Sequence, residues 1–356
     1  MRRPAAFDVR RRVARRACLV VLACLAAALP CAARAQAGYG MDDFARVEKI
    51  DAHVHLNGPA DRFMAQAVRD GVRVLTINVD YPDFPTVQTQ QAAAVALRQR
   101  YPGRVAFAAT FSAAGFDAPG WTADALRQLD SALGQGAVGV KVWKNLGMVL
   151  RDADGRYVSL DDARLRPIFD HLEQANVVLL GHQAEPLNCW LPMDKMTVRS
   201  DREYFSAHPQ YYMHGRHDVP SHEEQLAARD RMLAAHPALR FDGVHLASLE
   251  WDVDGVARFL DRFPRASVDL AARMVHLQYQ AARNREKVRQ FFLRYQDRIL
   301  YGTDIADGPT SPRKRTRRGS RTGASSPRTR PCIRATSTRR SRGSPCRARS
   351  STRSPT

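Results

Sequence analysis

Cysteine is scarce where it could matter. Of six cysteines, Cys18, Cys24 and Cys31 lie within the first 35 residues and Cys332 and Cys346 beyond residue 308, which leaves Cys189 alone between them. No disulfide can therefore staple the segment 36–307 internally. Long apolar runs are missing too: Ala17–Leu29 falls short of the about 20 residues that a membrane-spanning helix needs. No glycine-rich phosphate loop follows the first strand pattern, which argues against a doubly wound nucleotide-binding sheet. Acidic residues vanish after residue 307: segment 308–356 holds fourteen arginines and one lysine, no aspartate or glutamate, no aromatic, and Ile333 as its only large aliphatic.

The formal charge of +19 suggests a nucleic-acid binder until it is divided along the chain. Residues 1–35 carry eight arginines against one aspartate, 308–356 carry the basic excess just described, and the segment between them is slightly acidic. The first 35 residues read as a secretory leader, with Arg2, Arg3 and the arginines of 10–16 ahead of the short apolar stretch. Pro30 ends that stretch, and Ala33-Arg34-Ala35 fits the small-x-small cleavage rule. The expected mature chain begins near Gln36, is exported to the periplasm or beyond, and keeps no stable membrane anchor. A lipoprotein reading through Cys24 would shorten the apolar stretch badly, and Arg11-Arg12 is a poor twin-arginine signal. The segment 308–356 cannot bury enough apolar surface to offset its ordering entropy. A basic arm, a disordered extension and an out-of-frame translation are three readings of it. The abrupt change inside an expected strand–helix unit favours the last, and no nucleic-acid partner is expected.

Between these ends lies one domain of about 270 residues, an ordinary size for a single α/β barrel. Continuous apolar runs predict eight strands, Val47–His53, Val72–Val79, Arg104–Thr110, Ala137–Val142, Val177–His182, Phe241–His245, Ala266–Leu270 and Arg298–Gly302. Amphipathic patterns predict helices between them at Thr86–Arg100, Thr122–Leu133, Leu160–Gln174, Glu223–Ala235, Val256–Phe263 and Arg283–Tyr295. This alternation implies a parallel sheet, and eight units imply closure into a (β/α)8 TIM barrel, here without a native helix after its last strand. The fifth and sixth strands stand roughly 60 residues apart, and the extra stretch Ala184–Ser221 is expected to build or cover the site. Its neighbouring histidines, His208, His214, His217 and His222, have no regular spacing and read as loop polar groups.

Ligand-type side chains close four of the apolar runs: His53 and His55 in IDAHVHLN, His182 in VVLLGHQAEP, His245 in FDGVHLASLEWD, and Asp304 in ILYGTD. Side chains at i and i+2 of a strand share a face, so His53 and His55 can grip one ion together. Imidazole with carboxylate suits a borderline-soft divalent metal such as zinc, and catalytic groups of β/α barrels gather at the C-terminal strand ends.

In the order of DAHVHL, GHQAEP, GVHLAS and YGTD, from about Val47 to Asp304, the chain resembles the amidohydrolase superfamily, specifically its amidohydrolase-2 branch of metal-dependent barrel hydrolases and decarboxylases. The resemblance implies that His53, His55, His182 and Asp304 are metal ligands, and that His245 is a ligand or polarises the substrate. A carboxylated Lys141 on the fourth strand would bridge two metals, as in binuclear members. One zinc ion is the favoured reading, with Lys141 and Lys144 left to meet a substrate carboxylate. A metal makes bound water acidic and polarises a carbonyl, so Asp304 is the expected general base and His245 the expected oxyanion stabiliser. Asp51 is expected to orient the first strand. Trp143, Glu185, Trp190 and Arg273 are pocket candidates. The expected function is hydrolysis of an amide, lactone or ester of a small molecule. Decarboxylation of an aromatic or muconate-type acid, and an inactive product, are the alternatives. A homo-oligomer is compatible with this reading.

Overall fold

The apolar runs become strands that all point the same way. A computed structural model describes residues 41–308; the leader through Ala35 and the arginine-rich segment after Gly308 lie outside the described residues. The chain divides into two compact units, and Glu48–Arg321 contains the whole sheet. The described part of the other unit includes a single 3-10 turn, Met41–Asp43.

The strands are β1 (Lys49–Leu56), β2 (Val72–Ile77), β3 (Val105–Ala109), β4 (Gly139–Val142), β5 (Val178–Gly181), β6 (Phe241–Gly243), β7 (Ala266–Asp269), β8 (Ile299–Leu300) and β9 (Ile305–Asp307). Their order in the sheet is β8-β7-β6-β5-β4-β3-β2-β1-β9, parallel throughout. The eighth strand is thus broken in two, its first half pairing with β7 and its second with β1. Between the halves, Ala52 N donates to Tyr301 O and Asp304 N to His53 O, both at 2.8 Å. These bonds join the two edges of the sheet, and the barrel closes. Gly302 makes the approach feasible, because a Cβ there would lie 2.8 Å from His53 Cβ and 3.1 Å from Ala271 Cβ.

Nine helices of eight residues or more accompany the strands among the described residues: α1 (Asp61–Arg69), α2 (Val87–Arg100), α3 (Trp121–Gly134), α4 (Arg166–Gln174), α5 (Arg199–Ala207), α6 (His222–Ala235), α7 (Val253–Arg262), α8 (Met274–Ala281) and α9 (Arg285–Tyr295). Six follow the predicted patterns. The fourth starts later than expected, because Ser159–Leu165 is spent on tight turns. Helix α6 opens with a capping box, Ser221 and Glu224 satisfying each other's backbone N–H groups. The main apolar core lies between β4–β7 and the helices outside them, with Leu129, Phe169, Leu179, Phe241 and Phe259 buried together. A smaller cluster of Val54, Leu56, Val74 and Leu97 fixes β1 and β2 against α2.

Two strand ends differ from expectation. Strand β1 continues to Leu56, so both its histidines lie within the strand, His53 in a register shift between Asp51 and Val54, and β6 stops at Gly243, two residues before His245. Among the described residues no helix follows β9, and Ile50, Leu300, Tyr301 and Ile305 on the adjoining strands are exposed. No described helix is long and apolar enough to cross a membrane.

Candidate metal centre

The C-terminal strand ends converge on a group of imidazoles whose inner nitrogens are bare. On β1, His53 Nδ1 donates to Asp269 Oδ2 at 2.5 Å and His55 Nδ1 to Ile77 O at 2.7 Å. Past β6, His245 Nδ1 donates to Ala271 O at 2.8 Å. A carbonyl can only accept, so His55 and His245 each carry a proton on Nδ1 and turn Nε2 inward. Burial pushes His53, His182 and His245 below the usual imidazole range, with the nearby Lys141 ammonium adding to the effect on all three. These rings are therefore neutral near pH 7. The Nε2 atoms of His53 and His182 are buried without a hydrogen-bond partner.

Asp304 completes the group from the closing corner. Its Oδ1 lies 3.4 Å from His53 Nε2 and 3.2 Å from His55 Nε2. Burial raises this carboxyl, but contact with His55 and the field of the Lys141 ammonium act the other way and the net direction is down, so it stays ionised. The neutral His53 thus turns a lone pair toward a carboxylate oxygen, an arrangement that repels unless a cation lies between. Two donors each about 2.1 Å from one tetrahedral ion sit about 3.4 Å apart, which matches these separations. Ligand atoms of His53, His245 and Asp304 all fall within 4.8 Å of one another. The donor set fits a divalent metal.

The turn that carries His245 is strained. His245, Leu246, Ala247 and Ser248 have φ values of 60, 58, 55 and 54°, one left-handed turn built without glycine. Such residues cost about 1–2 kcal/mol each, and strain of this kind persists only where its surroundings hold it. Asp269 Oδ1 accepts from His245 N at 2.6 Å, the buried Arg229 Nη1 donates to Ala247 O at 2.5 Å, and Ser248 Oγ donates to Gln183 O. Asp304 is also left-handed, at φ 62°. Asp51 holds that corner, its Oδ1 accepting from Thr303 N at 3.0 Å and His53 N at 3.2 Å, and its Oδ2 from Thr303 Oγ1 at 2.6 Å.

The other candidates fall into place around this group. His182 N donates to Val142 O at the end of β5, and its ring lies 4.4 Å from that of His245, outside the compact trio. Lys141 on β4 is 1% exposed and has no ion-pair partner within 4 Å among the described residues. Burial pushes its ammonium down to about 8 against the pull of Asp269, Asp304 and Asp242. Arg273 is 8% exposed and likewise unpaired; its Nη1 donates to Ala272 O at 3.2 Å and its Nε has no partner. Lys144 forms a buried ion pair with Glu185 and lies over the rings of Trp143 and Tyr211, 5.2 and 4.7 Å from their centroids.

The insertion between β5 and β6 reaches the mouth. Tyr211 of that stretch donates to Tyr81 Oη at 3.3 Å, and Tyr81 packs on Trp143. Phe84 covers His55, with ring centroids 5.3 Å apart. Lys144 and Tyr211 also line a cavity of about 360 Å³. Trp190 packs with Cys189, Met196, Phe205 and Met213 in the insertion's own apolar cluster and against His222. His208 and His214 meet backbone carbonyls of Tyr204 and Trp190. Sequence reasoning missed Asp269, although SVDL has the strand-then-ligand form of the other signals, and it missed Tyr81 and Tyr211, which only the folded loops bring together.

Among solved structures, similar folds include a TIM-barrel protein from Bordetella bronchiseptica, at 15% identity over 72% of this chain and 85% of that one, with a TM-score of 0.45. They also include 2,6-dihydroxybenzoate decarboxylase from Rhizobium, at 16% identity over 72% and 87%, TM-score 0.45. A third is 4-oxalomesaconate hydratase from Rhodopseudomonas palustris, at 11% identity over 72% and 81%, TM-score 0.41. A search of curated proteins found no match. The family described as Amidohydrolase matches residues 50–317, from within β1 to beyond β9. A match that takes in every strand of the barrel and each residue of the convergent group settles the affiliation: this chain belongs to the amidohydrolase family, whose members are metal-dependent enzymes acting on small molecules.

Proposed function

We propose that this chain is a metal-dependent hydrolase that directs water onto the amide, lactone or ester carbonyl of a small substrate bearing a carboxylate. The observation that carries the proposal is the convergence of His53 Nε2 and His55 Nε2 on Asp304 Oδ1, with His53 Nε2 buried and without a hydrogen-bond partner. His53, His55, His245 and Asp304 would hold the ion, with His182 beside His245 as a further imidazole. When bound, one zinc or similar ion supplies Lewis acidity and brings the pKa of water toward neutrality. Asp304, ionised and partly accessible, accepts the proton of the attacking water and returns it to the leaving group. Lys141 and Arg273 are buried cations without a carboxylate partner within 4 Å among the described residues, and a buried charge left unpaired is costly. A substrate carboxylate, or the oxyanion that develops at the carbonyl, supplies the missing counter-charge. Tyr81, Phe84, Trp143 and Tyr211 form an aromatic wall that excludes water from the reacting carbonyl.

The unpaired Lys141 and Arg273 favour a second reading, decarboxylation, in which the group they hold is the one that leaves. Lys141 in its neutral form could alternatively be carboxylated and admit a second ion. The leader would place the mature enzyme outside the cytoplasm, free of a membrane anchor. The full chain loaded with Zn2+ should be given carboxylated lactones, amides and esters, and aromatic and muconate-type acids, while acid release and carbon dioxide are measured. Acid release without carbon dioxide is the expected result. Carbon dioxide from the acids would establish the second reading, and a zinc-loaded chain inert toward every class would overturn both.

A further inference from the structure

Strand β7 contributes an acid that no ligand pattern announces. Asp269 is fully buried at the C-terminal end of β7. Both of its oxygens are committed to groups that carry ligands. Oδ2 accepts from His53 Nδ1 at 2.5 Å, while Oδ1 accepts from His245 N at 2.6 Å and from Ala271 N at 3.1 Å. Ala271 O in turn accepts from His245 Nδ1 at 2.8 Å. One carboxylate therefore sets the tautomer of His53, anchors the left-handed turn under His245, and fixes the carbonyl that sets the tautomer of His245.

We propose that Asp269 is the positioning residue that couples His53 to His245, so that one side chain prepares two ligands of the centre at once. The inference rests on the metal-centre reading above and adds to it a residue outside the ligand set. It has a specific consequence for the isosteric change Asp269→Asn. An amide offers one acceptor where the carboxylate offers two. If the NH2 faces His53, it donates to Nδ1 and moves the ring proton to Nε2, which removes the inward lone pair. If the NH2 faces the other way, it meets the N–H groups of His245 and Ala271, and the strained turn loses its anchor. Either orientation spoils a ligand, whereas a residue that merely fills space would tolerate the amide.

The test uses the full chain and Co2+, whose visible absorption reports ligand geometry, with Zn2+ affinity measured by competition against a chelator. Asp269→Asn should lower affinity for both ions by about 100-fold, the upper part of the range for groups that orient ligands, and should change the Co2+ spectrum. Unaltered spectrum and affinity within about twofold would overturn the clamp while leaving the metal centre intact. No Co2+ or Zn2+ binding by the unmodified chain would instead overturn the metal centre, and the clamp with it. Should the variant fail to fold, nitrogen-15 histidine spectra of the unmodified, metal-free chain decide the question. His53 protonated at Nδ1 and bare at Nε2 supports the clamp, and the opposite tautomer refutes it.

Discussion

Replacing Lys141 by methionine should make the metal-free barrel more stable while disabling it. The side chain is 1% exposed and has no ion-pair partner within 4 Å among the described residues. Its ammonium falls from the ordinary 10.5 to about 8 on burial, with Asp269, Asp304 and Asp242 already pulling the other way. That displacement corresponds to about 3 kcal/mol against the charged form in the folded state. Methionine fills similar space without the charge, so Lys141→Met should gain up to about that amount near pH 7, a sizeable part of the 5–15 kcal/mol typical of a domain. The sign with pH follows from proton counts. Between about 8 and 10.5 the unfolded chain holds a proton on Lys141 that the folded chain has lost, so the unmodified protein gains stability as pH rises. The advantage of the variant should be full below pH 8 and fade as pH approaches 10.5. Urea unfolding of both metal-free proteins at pH 7, 9 and 10.5 measures the difference. A variant less stable at pH 7, or an advantage unchanged across the series, would refute the reasoning. Substrate binding should show the opposite pattern: KM of the unmodified enzyme for a carboxylate substrate rises above pH 8 as the ammonium is lost.

Two further changes separate roles within the site. Asp304→Asn keeps an oxygen toward the histidines but loses the proton-accepting charge; kcat should fall about 10²–10⁴-fold with much of the metal retained, and activity that merely tracks metal content would move the base elsewhere. Arg273→Met should raise KM for carboxylate substrates roughly 10- to 100-fold, the range for a hydrogen bond to a charged group, and leave neutral analogues little affected. An equal loss for both would assign Arg273 to structure alone.

The strands were legible because a parallel sheet covered on both faces demands continuous apolar runs, and runs such as VVLLG and RVAFAAT have no other use. The positions of the convergent histidines were legible because they lie at or just past those runs, and His53 and His55 share a face by strand geometry alone. The break in the eighth strand was not: it depends on Asp51 and Thr303 meeting across 252 residues. VHLAS contains no glycine or asparagine to betray a left-handed turn, and that turn exists because Asp269 and Arg229 hold it from other elements. Helices α1, α5 and α8 were missed for a related reason. Each buries only two residues along its length, so tertiary contacts contribute more than a broad buried stripe to defining them.

Metal content decides most directly whether the strand ends hold an ion. The full chain should be purified, stripped, reloaded with Zn2+ and assayed for bound metal beside the double variant His53→Ala/His55→Ala. The unmodified protein should bind about one ion per chain and the double variant essentially none, each protein having been shown to be folded. Equal occupancy in the two, or none in the unmodified chain, would contradict the metal centre.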